Sequence, residues 1–77
     1  MNKKVFYELR ECKPYSPANK DITSIEIYMV VKNKMGTFVY REALGQKENW
    51  WRTNRAKSTL IHRDKSYEVL DAMRELL

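Results

Sequence analysis

Residues 49–55, Asn-Trp-Trp-Arg-Thr-Asn-Arg, hold the side chains of this sequence best suited to gripping a ligand. Guanidinium and ammonium groups neutralise phosphates, indole rings stack on bases, and amide side chains hydrogen-bond base edges. Between Gly45 and Lys57 the cations Lys47, Arg52, Arg55 and Lys57 stand against Glu48 alone. This short stretch therefore carries +3 of the chain's formal +5, beside both of its tryptophans. The pattern makes Lys47, Arg52, Arg55 and Lys57 the expected phosphate contacts, Trp50 and Trp51 the stacking groups, and Asn49 a base-edge contact. A structural reading competes with it, in which one indole plugs an end of the core and the arginines are merely solvated.

Other chemistry is excluded more easily. Ser58, His62 and Asp64 supply the residue types of a nucleophile, base and orienter, but on one short extended strand they cannot converge as a triad, so no catalytic residue and no enzyme is expected. Gly36 and Gly45 are the only glycines, which leaves no loop to cradle a phosphate, and no His or Cys cluster has metal-ligand spacing. Neither a metal nor a small-molecule cofactor is expected. Cys12 is the sole cysteine, so no disulfide can form within one chain.

Composition sets the frame for these residues. Seventy-seven residues make one compact domain, 1–77, near the size at which a monomer buries only roughly 60% of its unfolded surface. With 43% apolar and 32% charged residues the sequence is that of a globular protein, and its pI near 9.5 favours a polyanionic partner. The amino terminus breaks into charge by Glu8, and no run approaches the roughly 20 apolar residues of a spanning helix. The expectation is a cytoplasmic protein without a membrane partner.

The elements that must position the basic, aromatic segment are legible in turn. Residues 4–12 place Val5, Tyr7 and Leu9 on one side and Phe6, Glu8, Arg10 and Cys12 on the other, as a half-buried strand does. Pro14 and Pro17 mark a loop over residues 13–21. A second strand begins at Ile22, with Ile25, Ile27, Met29 and Val31 sharing its core face. Asn33 and Gly36 then allow a tight reversal into a third strand through Phe38, Val39 and Tyr40. In that strand the alternation is ambiguous, and Val39 with Ala43 is taken as the inward set. Residues 45–55 lose alternation and read as a polar loop, with room for the ends of a strand to continue into it. Residues 57–62 form a fourth strand, Asp64 is the expected N-cap, and a helix follows from about Lys65 to Leu77. Its stripe of Val69, Leu70, Met73, Leu76 and Leu77 should pack on the sheet.

The expected fold is therefore α+β, a four-stranded antiparallel sheet (ββββ) followed by a C-terminal amphipathic helix packed on one face. Phe6 and Tyr28 fall on the face opposite the helix, where exposed aromatics would suit a homodimer interface. The final strand running straight into an amphipathic helix, STLIHRDKSYEVLDAM over residues 58–73, resembles the PC4-like and PUR-domain group of single-stranded nucleic-acid-binding proteins in its architecture. That resemblance implies a dimer binding single strands across its sheets. Two functions fit the sequence: a small non-enzymatic protein that binds RNA or single-stranded DNA, and a phage-type or mobile-element inhibitor, antitoxin-like, that blocks a host protein.

Overall fold

The computed structural model describes residues 3–13, 23–43 and 46–77. Among them the elements run β1 (Lys4–Cys12), β2 (Ser24–Asn33), β3 (Gly36–Ala43), β4 (Gln46–Thr53), β5 (Ser58–Asp64) and α1 (Tyr67–Glu75). The fold is α+β, an antiparallel sheet with a C-terminal helix, but the sheet has five strands in the order β4-β3-β2-β1-β5. Most of the loop expected over residues 13–21, and the strand start at Ile22, lie outside the described residues.

The added strand is β4, drawn from the segment that reads as a loop. Gln46, Lys47, Glu48 and Asn49 are residue types depleted in strands, which hides the element from a reading by propensity. Its place at the edge of the sheet explains the composition, because charged side chains on an edge discourage pairing with another chain. The β2–β3 reversal follows the expected chemistry more closely. Asn33 faces Gly36 across the turn, the Asn33 Oδ1 accepts from the Met35 amide at 2.8 Å, and Gly36 takes the positive φ of 134°.

Residues 54–57 join the two opposite edges of the sheet. Five flat strands would set β4 and β5 about 19 Å apart, whereas the five steps from Thr53 to Ser58 reach at most about 18 Å before any offset along the strands. The sheet must curl. It does so toward the face opposite the helix, where Arg55 reaches Glu8 of β1 and the Lys57 carbonyl accepts from the Lys13 amide at 3.2 Å. This connection acts as a strap over that face.

Curling gives the chain two apolar clusters, one on each side of the sheet. Leu9 and Ile27, paired in register, meet Tyr67 and Leu70 of α1, with Tyr7, Ile25, Trp50 and Met73 packed around them. On the strap side Cys12, Tyr28, Val30 and Val39 are buried together, with Phe6 against them. Val39 is thus buried as expected, but away from the helix; Phe38, Tyr40 and Glu42 occupy the helix-bearing face of β3.

The helix is shorter than its apolar stripe. Ser66 is the N-cap, accepting from the Val69 amide, while Asp64 accepts from the Ser66 amide at 2.8 Å and so shapes the turn just before it. Tyr67 and Leu70 are buried and Met73 half-buried, whereas Val69, Leu76 and Leu77 are exposed. Leu76 and Leu77 follow the last helical turn and have no sheet beneath them. No helix among the described residues is long and apolar enough to cross a membrane.

Candidate nucleic-acid interface

The curl and the short helix divide the predicted site. On β4 Trp50 pairs with Glu42 and Trp51 with Arg41, so the two indoles point to opposite faces. Trp50 joins the helix-side cluster: its ring lies 6.0 Å from Tyr7 and 6.1 Å from Tyr67, the latter edge-on. That indole packs, half-buried, against the core. Trp51 is 65% exposed on the edge strand and remains open to a ligand.

The basic residues separate as well. Arg55 turns inward, its Nη1 3.2 and 3.1 Å from the two oxygens of Glu8, and is a strap tie where a phosphate contact was expected. Arg52 stays on the helix-bearing face with its guanidinium 4.9 Å from the Phe38 ring centre and 5.8 Å from that of Tyr40. Lys57 is exposed on the strap at φ 60°, and Asn49 is exposed on β4 with a partner of its own. The side chain of Lys47 lies outside the described residues.

Two buried carboxylates, not evident as such in the sequence, hold this arrangement. Glu8 is completely buried, accepting from Arg10 Nε at 2.9 Å and Arg63 Nε at 3.0 Å as well as from Arg55. Burial pushes its pKa up, but the hydrogen bonds from Arg10, Arg63 and Arg55 outweigh burial and hold it below the ordinary value. Glu42, 1% exposed on the other face, accepts from the Tyr67 hydroxyl and, at 2.8 Å, from Arg74 Nη1. Burial and then the Glu42 carboxylate raise the Tyr67 pKa well above the usual phenol range, so this hydroxyl stays a donor. Arg10, two residues from Glu8 on the same strand face, was the available signal for the first; Glu42 is met by Tyr67 and Arg74 of the distant helix, which no local spacing announces.

The dimer face expected at Phe6 and Tyr28 is not an open patch. Tyr28 is 3% exposed, its hydroxyl 3.1 Å from the Cys12 sulfur, and Phe6 is half-buried with Lys32 and Arg63 over its ring. His62 and Asp64 lie 3.6 Å apart near the surface. Among the described residues no group of three His, Cys, Asp or Glu comes together to hold a metal.

One open surface was missed. Nine helical residues span about 13 Å, while the ten of β2 span about 33 Å, so α1 covers Leu9 and Ile27 but leaves the far end of the same face bare. There Met29 pairs with Tyr40 and Val31 with Phe38 to floor a groove of about 530 Å³. Lys3, Arg52 and Asn33 supply its polar lining, Val5 and Met35 complete it, and among the described residues no carboxylate lines it. No protein family, curated protein or solved structure matches the chain.

Proposed function

We propose that this chain is a non-enzymatic nucleic-acid-binding protein that holds RNA or single-stranded DNA along the bare half of its helix-bearing face. The observation that carries this reading is the groove over Phe38 and Tyr40, aromatic in its floor, cationic at Lys3 and Arg52, and free of lining carboxylates among the described residues. Bases stack on exposed aromatic and guanidinium planes whatever their identity, and the adjoining cations meet the phosphates. A strand leaving the groove over the β4 edge meets Trp51, the one indole still available. Of the residues expected from sequence, Arg52 and Trp51 therefore keep their ligand roles, with Phe38, Tyr40 and Lys3 added.

Electrophoretic mobility shift of mixed-sequence RNA and single-stranded DNA by the purified protein at low salt tests the proposal. Retardation of either polymer is expected, weakened by about 1–3 kcal/mol when Phe38 or Tyr40 is replaced by Ala. A folded preparation that retards neither polymer overturns the reading and leaves the groove to a protein partner.

A further inference from the structure

On the face opposite the groove, β1, β2, β3, the end of β4 and the strap line a cavity of about 240 Å³. Lys13, Arg41 and Lys57 line it, Arg41 with a partner of its own, and among the described residues no carboxylate does. Glu8, the buried acid of this face, has both oxygens already taken by Arg10, Arg55 and Arg63, three cations against one anion. Glu26 shares the face, yet it does not line the cavity. Positive charge gathered around a recess with low-dielectric walls focuses potential into it and draws in anions.

Part of the wall is polar and uncharged. The Tyr28 hydroxyl and Cys12 thiol border the cavity, within hydrogen-bond distance of each other and nearly inaccessible otherwise. Burial foremost, and then the Cys12 contact, push the Tyr28 pKa up to about 12, with Arg41 pulling the other way. The phenol thus keeps its proton at neutral pH and has a hydrogen bond to give. The strap is fixed by its own bonds: Asn54 Oδ1 accepts from the Ala56 amide at 2.9 Å, and the Ser58 hydroxyl donates to the Arg55 carbonyl at 2.6 Å. Lys57 is held between them in the left-handed region, which non-glycine residues occupy infrequently.

We propose that this cavity binds a phosphate-sized oxyanion, either inorganic phosphate or the phosphate monoester of a nucleotide, through Lys13, Arg41 and Lys57 with the Tyr28 hydroxyl donating. Its volume is several times the roughly 30 Å³ share of one water, enough for an oxyanion and part of an attached ester. The site is independent of the groove, which opens on the other face of the sheet.

Calorimetric titration of the intact protein with sodium phosphate, at constant ionic strength against chloride, tests the inference. One saturable site per chain is expected. Lys57→Gly should weaken it about tenfold or more, through loss of a charged partner, while the fold persists because glycine takes this φ without strain. Tyr28→Phe, which keeps the ring and removes the donor, should weaken it as well. A nucleoside monophosphate that displaces phosphate identifies the ester as a ligand; one that does not restricts the site to the free ion. Absence of saturable binding, or equal affinity in the parent and the folded Lys57→Gly protein, overturns the inference. Arg52→Ala, a groove variant, should leave the phosphate titration unchanged, so failure here and failure of the nucleic-acid reading are told apart.

Discussion

Glu8 shows how a single charged residue can be more structural than any apolar one near it. A carboxylate without access to water is tolerable only when paired, and here Arg10 from the same strand, Arg63 from β5 and Arg55 from the strap converge on it. Replacing Glu8 with Ala leaves three guanidiniums facing one another and should cost about 3–5 kcal/mol at neutral pH, read from denaturant unfolding. The pH dependence has a definite sign. Because the folded pKa of Glu8 lies below its unfolded value of about 4.3, its contribution is present above that value and is lost as pH falls through the folded pKa. The stability gap between the parent and Glu8→Gln should therefore narrow under acid. A gap that stays constant from neutral pH into that range would mean the carboxylate is not held ionised by the arginines.

At the scale of elements, α1 and β4 carry the lessons about reading the chain. β1, the β2–β3 reversal and the strand leading into the helix were legible because alternation, Asn33 and Gly36 state them locally. β4 was not, since an edge strand has no need of an apolar face and its partner is chosen by β3. Trp50 and Trp51 could not be sorted for the same reason: adjacent residues of a loop share an environment, whereas adjacent residues of a strand face apart. Trp50→Ala should accordingly cost about 3 kcal/mol in unfolding free energy, and Trp51→Ala within about 0.5 kcal/mol of nothing. Similar losses for the two would return both rings to one environment. The helix end gives a companion test. With Leu76 and Leu77 both exposed, a chain shortened by these two residues should melt cooperatively near the parent temperature, while Leu70→Ala costs about 2–5 kcal/mol.

Across the whole molecule, the curl decides which cations can reach a ligand, something no local pattern in the sequence reports. Arg52 and Arg55 are three residues apart and look equivalent, yet β4 presents the first on the helix-bearing face and the strap carries the second across the other to Glu8. A charge already paired to a buried carboxylate releases few counterions when a phosphate arrives, whereas one lying over Phe38 at the groove is available to do so. If the groove is the binding surface, Arg52→Ala should reduce the salt slope of single-strand binding by about 0.7, the value of one phosphate contact on a single strand. Arg55→Ala should leave that slope unchanged and instead lower the unfolding free energy, because it frees one corner of the Glu8 cluster and loosens the strap. Binding isotherms at several salt concentrations, taken with denaturation of each variant, separate the two effects. The reverse pattern, a slope that drops with Arg55→Ala and not with Arg52→Ala, would place the strand on the strap side and remove the groove from the account.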